Sequence, residues 1–452
     1  MKNFTIIFLS LFFICILTSS GYAQSAKNSR TAFLFSTIVT INIFEIDGDN
    51  GKELLDKAYA MMEDFDKKYS PSKDNIIGKI NSLDSGEVLV LDTDLYNMIK
   101  KAEINYEISG GYYDITIGPL SKLFGFKTDN PSLPSEKSIK STLSKTGFKF
   151  ISLNENKEFM FLKQGMKIDT GGLAKGYIID KVYDFFKENG VTSALINGGG
   201  DIRVIGKKKD RPFIIGISDP ENPGLVMAKI ELYDGEAVAT SGDYERFFFK
   251  DDIRYCHIFN PKTGYPGMIN HGSTVVAKTS VIAEALSLSS FLMTGETALK
   301  YIEKNNCEGL IVNKDYTVSM TKDFQRRCTL NPKISKKDNI FFLIIIALLI
   351  ISIVISLKFK GGIAENAELI INDKLIKKIN LKENAIHEFD LEDGKLVLRV
   401  ENRKIGITEN TCPEKICMHQ GFLQNKGEII VCVPNKIIIK LLGESEIDSI
   451  TK

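Results

Sequence analysis

The spacing of apolar and polar positions divides the chain into unlike stretches. Over residues 24–335 apolar side chains recur first at every second position and then at every third or fourth, the pattern of strands mixed with helices. TAFLFSTIVTINIF at 31–44 alternates and predicts a strand. Residues 51–68 predict a helix whose apolar side carries Leu54, Leu55, Ala58, Met61, Met62 and Phe65, ended by Tyr69-Ser70-Pro71-Ser72. A second helix is expected from Asp92-Thr93-Asp94, where side-chain oxygens can cap free amides, to about Ser109. A third, over 174–188, lies between the turn Asp169-Thr170-Gly171-Gly172 and a strand that ends in Gly198-Gly199-Gly200-Asp201. RPFIIGISDP (211–220) and AVATSGDYERFF (237–248) predict further strands, and 280–292 predicts an apolar helix.

Two other stretches break this pattern. NIFFLIIIALLIISIVISL at 339–357 is almost wholly apolar between lysines, and at about 1.5 Å per residue it is long enough to cross a bilayer. It predicts a transmembrane helix. Beyond it, 361–452 returns to short strand-like runs separated by Asn372-Asp373 and Glu392-Asp393-Gly394, which predict a small β-rich domain. At the start, Lys2, an apolar run and Gly21-Tyr22-Ala23 predict a signal peptide or N-terminal anchor over 1–23. That start places the large body outside the cytoplasm and the chain in the cell or inner membrane. Arg326, Arg327, Lys333, Lys336 and Lys337 precede the span and only Lys358 and Lys360 follow it, a bias of the opposite sense, so the side of the small domain stays open.

Composition narrows the picture. A chain of 452 residues exceeds one ordinary core. With 58 basic against 57 acidic residues and no basic stripe, nucleic acid is not expected as a partner. The seven cysteines are too few to build a disulfide fold, but three of them, Cys412, Cys417 and Cys432, cluster in the tail.

The candidate chemistry gathers in the large body. Glycines at 171, 172 and 199, each cluster beside an aspartate, let backbone amides approach phosphate, and the adjoining helix start adds positive potential. Neither GxxxxGK[ST] nor GxGxxG is present, so this is not a P-loop or a dinucleotide fingerprint. Gly110 to Leu120 (GGYYDITIGPL) carries aromatics that suit a planar ring or a core. His257, one of four histidines, sits where a strand meets a turn and can act as a base. Glu284 lies in an apolar helix, where a carboxylate must be paired, exposed or bound to metal.

Taken in order, SGGYYDITIGPL, KIDTGGLAKGYIID, LINGGGDI, ATSGDYERFF, YCHIFNPKTGYP and SVIAEALS resemble the successive motifs of the ApbE family of FAD:protein FMN transferases, over about residues 30–325. The resemblance implies an α+β, two-lobed flavin transferase body, here followed by the transmembrane helix and the small β-rich domain. It implies magnesium-dependent transfer of FMN from FAD to a threonine or serine hydroxyl of a partner protein, leaving a phosphoester and releasing AMP. By that resemblance His257 is the base, and Asp243 positions it or the nucleophile. Tyr112, Tyr113, Asp114 and Thr116 shape the flavin side. Asp169, Gly171, Gly172, Lys175, Gly199 and Asp201 surround phosphate or nucleotide, with Thr240, Ser241 and Gly242 in the same binding set. Mg2+ is expected on the Ala174 carbonyl, Glu284 and either Ser287 or water. Glu284 stands where the family has Asp, and Leu288 where it has Thr, which removes one ligand.

The implied partner is a flavin-accepting subunit of a membrane oxidoreductase, with this chain tethered to the membrane. An FAD pyrophosphatase and a non-catalytic flavin-binding protein remain as alternatives, separated from the transferase by product. Residues 364–442 resemble NusG domain II. Cys412, Cys417, Cys432 and His419 there are open between metal ligands, a redox pair and structural thiols.

Overall fold

The computed structural model describes residues 28–331 and 363–451, except 47–49, 71–73, 127, 129, 223, 392–393, 413–415, 433 and 443–448. Its centre is an eight-stranded sheet whose spatial order follows the chain, every strand antiparallel to the next. The strands are β1 (Asn28–Leu34), β2 (Thr37–Ile46), β3 (Val191–Gly198), β4 (Asp201–Ile205), β5 (Ala237–Gly242), β6 (Asn270–Ala277), β7 (Glu308–Asn313) and β8 (Val318–Met320). The single strand expected over 31–44 is therefore a hairpin. Phe35 and Ser36 form its two-residue turn with φ of 56° and 58°. That geometry suits the twist of a hairpin, but the usual Asn or Gly signal is missing from the sequence.

Alternation along each strand feeds two cores, one on each face. Val39, Ile41 and Ile43 of β2 and Ile196 of β3 meet α1 (Gly51–Tyr69), α2 (Thr93–Ile108) and α3 (Ala174–Glu188). Leu195, Ile202, Val204 and Val238 face the opposite way, onto Phe213, Ile215 and Ile230 of a second sheet. Each such side chain, fully buried, contributes about 1.5–3 kcal/mol relative to exposure. The expected helices form because their apolar positions coincide with these faces. Leu54, Leu55, Ala58, Met62 and Phe65 of α1 are buried, and Asp92 caps α2 by accepting from the Leu95 amide at 2.9 Å.

α3 and α4 (Ser280–Phe291) fix one another by reciprocal capping. Asp180 of α3 accepts from the Ser280 and Val281 amides at the start of α4, at 2.7 and 3.2 Å. Glu284 of α4 accepts from the Gly176 amide in the first turn of α3 at 3.0 Å. Both carboxylates satisfy orphan donors at the positive end of a helix. Gly176 has to be glycine for this crossing, since a Cβ there would stand 2.9 Å from both Glu284 Oε2 and the Ser280 carbonyl.

The small domain is β-rich, as expected. Strands Lys374–Asn380, Asn366–Ile371, Ile437–Leu441 and Ile429–Cys432 form one sheet in that order, and Ala385–Leu391, Gly394–Glu401 and Lys404–Asn410 form another. Leu369, Ile379, Leu396, Leu398, Ile430 and Ile439 fill the space between them, together with Cys412, Cys417 and Cys432.

One expectation is corrected. Among the described residues no helix is long and apolar enough to cross a membrane. The expected span at 339–357 and the signal at 1–23 lie outside the described residues. Among the described residues the architecture is accordingly an α+β body with a β-rich domain and without a transmembrane helix, and the membrane tether and membrane localisation that rested on that helix are withdrawn.

Candidate active site

Three elements converge on a buried charged group. Lys175 in the first turn of α3 pairs with Asp201 at the head of β4, and its Nζ is 3.5 Å from Glu284 Oε1 on α4. Asp201 is 4% and Glu284 6% exposed, so two buried carboxylates face one ammonium whose side chain remains a quarter exposed. Burial opposes the Lys175 charge, but Asp201 and Glu284 outweigh it and hold its pKa raised. Glu284 is also pushed up, by burial first and then by Asp201, against the pull of Lys175. Beside it, Ser287 Oγ lies 3.0 Å from Ser241 Oγ on β5 and donates to the Glu284 carbonyl at 3.0 Å. Thr240 Oγ1 meets Thr274 Oγ1 at 2.9 Å on the neighbouring strand. Gly199 forms the turn before Asp201 with φ of +70°, and a Cβ there would stand 2.2 Å from Thr37 Oγ1. Only glycine fits.

This group fits a hard divalent cation by charge and by donor type. Glu284 and Asp201 against Lys175 leave a net charge of −1 in largely buried surroundings, and the neighbouring Ser287 hydroxyl and the backbone carbonyl of Ala174, the residue before Lys175, are the neutral oxygens that could join them. Leu288 supplies none and packs against the apolar core.

His257 follows the strand Ile253–Cys256. Its amide donates to the Arg246 carbonyl at 3.0 Å, and its Nδ1 is 3.3 Å from the same oxygen. With the proton on Nδ1, Nε2 is left as the acceptor. Burial, then the like charge of Arg246 and Lys175, pushes its pKa down to about 4, while Asp169 pulls the other way. The imidazole is therefore neutral at pH 7 and within electrostatic reach of both Lys175 and Asp169.

Asp243 does not hold His257. Its Oδ1 accepts from Arg254 at 2.9 Å, and its Oδ2 lies 2.8 Å from His271 Nδ1 and 3.7 Å from Lys314 Nζ. His257 is held instead by the backbone of Arg246, which leaves the other expected role of Asp243, positioning the nucleophile. The antiparallel register Gly242↔Gly272 meanwhile brings His271 beside Asp243, where it stacks on Tyr316 at 4.1 Å. Sequence reasoning missed His271, Arg254 and Lys314. The one available signal was His271 at the head of a strand that could pair with ATSGD.

The aromatic motif divides by role. Tyr113 is buried and donates to the Gly172 carbonyl at 2.8 Å, joining two motifs 59 positions apart. Asp169 Oδ1 accepts from the Gly171 amide at 3.0 Å, and Thr170 Oγ1 donates to the Tyr69 carbonyl, which pins that turn. Asp114 Oδ1 accepts from the Thr116 amide and hydroxyl at 2.8 and 2.6 Å, and its Oδ2 from the Phe148 amide at 3.2 Å. Thr116 Oγ1 accepts from Gly147 at 2.7 Å and is fully enclosed, so it holds the loop at 147 against this motif. Tyr112 lies under Lys262, whose Nζ is 3.7 Å from the ring centroid. A cleft of about 460 Å³ runs between Gly111, Asp114, Phe150, Pro261 and Lys262, with neither Tyr112 nor His257 among its lining residues.

Residues 35–311 match the ApbE family and residues 340–445 match NusG domain II. An FAD:protein FMN transferase of Treponema pallidum is 26% identical over 302 residues, covering 62% of this chain and 83% of the relative. One of Haemophilus influenzae is 30% identical over 258 residues, covering 55% of this chain and 74% of the relative. Among solved structures, the ApbE protein of Thermotoga maritima is 32% identical with a TM-score of 0.63, covering 66% of this chain and 98% of that one. The flavin transferase ApbE of Vibrio cholerae is 25% identical with a TM-score of 0.60, over 66% and 98%. The profile match spans more than half of the chain, and the chain belongs to the ApbE family, as an enzyme of that FAD:protein FMN transferase family with a NusG domain II module at its C-terminal side.

Proposed function

We propose that this chain transfers FMN from FAD directly to a threonine or serine hydroxyl of a partner protein, with His257 as general base. The observation that carries this reading is a neutral imidazole, anchored through Nδ1, within electrostatic reach of the buried Lys175 group. His257 Nε2 takes the hydroxyl proton as the acceptor oxygen forms a bond to the FMN phosphorus. The P–O bond to the AMP half breaks, and AMP leaves with the bridging oxygen and its electron pair. Negative charge grows on the phosphate oxygens in that step, and Lys175 sits ready to offset it. Glu284, Asp201, Ser287 and the Ala174 carbonyl would hold a magnesium ion, which when bound neutralises phosphate charge and orients the groups. The flavin-accepting partner fits a subunit of a membrane oxidoreductase, which must present its hydroxyl in an exposed segment.

The test is product analysis. Mixed with FAD, magnesium and a candidate acceptor, the chain should make the acceptor fluorescent on a denaturing gel and raise its mass by one FMN phosphoester. Thr→Val in the acceptor should abolish labelling, because valine keeps the shape and lacks the nucleophilic oxygen. Free FMN and AMP without any labelled protein would show that water is the nucleophile, and unchanged FAD would show a binding protein.

The pH dependence follows from the two perturbed groups. Burial and the like charge of Arg246 push the His257 pKa down, so the acid limb of labelling is expected to report Glu284 rather than His257. Glu284 has a raised pKa, and protonation removes its charge as pH falls. A bound cation favours the ionised carboxylate, so rising magnesium should move the acid limb of labelling to lower pH. Labelling rates measured across pH at low and saturating magnesium check this. A limb that stays in place would remove Glu284 from the ligand set.

A further inference from the structure

Three cysteine side chains meet in the core of the small domain, and FMN transfer uses none of them. Cys412 lies just beyond the strand Lys404–Asn410, Cys417 is in the short helix Ile416–His419, and Cys432 ends the strand Ile429–Cys432. They are 2%, 1% and 2% exposed, and their sulfurs all lie within 4.8 Å of one another. Thiolates on one zinc ion, each bound at about 2.3 Å, stand roughly 3.8 Å apart in a tetrahedron, so this spacing needs little adjustment.

The neighbouring amide indicates the state of the sulfurs. Asn410, 5% exposed, directs Nδ2 at Cys417 Sγ (3.3 Å) and at Cys432 Sγ (3.2 Å). Asn435 donates to Asn410 Oδ1 at 2.6 Å, which fixes the end of the amide that faces sulfur. A neutral thiol is a weak acceptor and a thiolate a much stronger one, so a buried amide aimed at two sulfurs suits electron-rich sulfur. Buried thiolates need a compensating cation. A disulfide between any two of the three would leave the third without a partner and abolish the charge that the amide faces.

We propose that Cys412, Cys417 and Cys432 bind one thiophilic d10 cation, with zinc as the probe, and that Asn410 is the positioning residue for the thiolates. The ion replaces the S–H protons, which pass to solvent, and no electron changes hands. Three protein ligands leave one tetrahedral position for solvent or an added donor.

The full chain, purified anaerobically under reductant and stripped with a chelator, is titrated with zinc against a colorimetric chelator, and separately with cobalt. The expected result is one ion per chain, with thiolate-to-cobalt charge-transfer absorption that Cys432→Ser eliminates. Asn410→Leu keeps all three cysteines and should weaken zinc binding about 10- to 100-fold. Circular dichroism on that variant reports whether the domain is folded, so the graded loss stands even if Cys432→Ser does not fold. A chain that takes up neither ion overturns the proposal. So does recovery of two of these cysteines as a disulfide-linked peptide from the untreated protein, or zinc affinity unchanged in Asn410→Leu. None of these readouts depends on FMN labelling.

Discussion

Replacing His257 with alanine is expected to slow FMN labelling of the acceptor by about 10²- to 10⁴-fold, the range that general-base removal costs, while FAD remains bound. The side chain is anchored to a backbone carbonyl rather than to a substrate-shaped cavity, so its loss should act on the chemical step. Single-turnover labelling at saturating FAD, with FAD affinity measured in parallel, separates the two effects. Added imidazole should partly restore the rate in the variant, since a diffusible base can replace a missing one and cannot repair a misfolded loop. A variant that labels at the original rate would exclude the base role. One that loses FAD affinity in step with rate would assign His257 to binding instead.

The helices that frame this site were legible in the sequence because burial imposes the 3.6-residue period. The helix expected over 174–188 spans Ala174–Glu188, and the apolar face of 51–68 is the buried face of α1. The hairpin at 28–46 was not legible, because its turn uses Phe35 and Ser36 in a backbone region that the usual turn residues would have announced. The site divided along similar lines. The structure brings Lys175, Asp201 and Glu284 together, with Ser241 against Ser287 one turn further along α4, through contacts between residues far apart in sequence. Asp243 went to a different partner because strand register decides that contact. A residue cannot reveal, from its own neighbours in sequence, that His271 will lie across the ladder from it. Asp114 and Thr116, expected on the flavin side, give their oxygens to the backbone amides at 116, 147 and 148, while Asp114 also lines the cleft. Pairing with distant backbone is the component of a buried polar residue's role that local sequence carries least.

Glu284→Ala is the second large effect. The wild-type carboxylate serves two positive partners, the Gly176 amide at the start of α3 and the Lys175 ammonium. Its removal leaves Lys175 paired with Asp201 alone, a neutral pair that no longer favours an additional cation. Magnesium affinity should fall by at least about 10- to 100-fold, with labelling at fixed magnesium falling alongside it. Thermal unfolding with and without magnesium gives a second readout, because a ligand bound only by the folded state raises the midpoint and the variant should lose that rise. Leu288→Thr tests the vacancy from the other side. It removes apolar packing and should lower the midpoint without metal, yet a hydroxyl that reaches the group should move the magnesium titration to lower concentration. Magnesium curves identical to wild type in Glu284→Ala would place the cation elsewhere. An unshifted curve in Leu288→Thr would show that a side chain one turn beyond Glu284 on α4 does not reach the charged group.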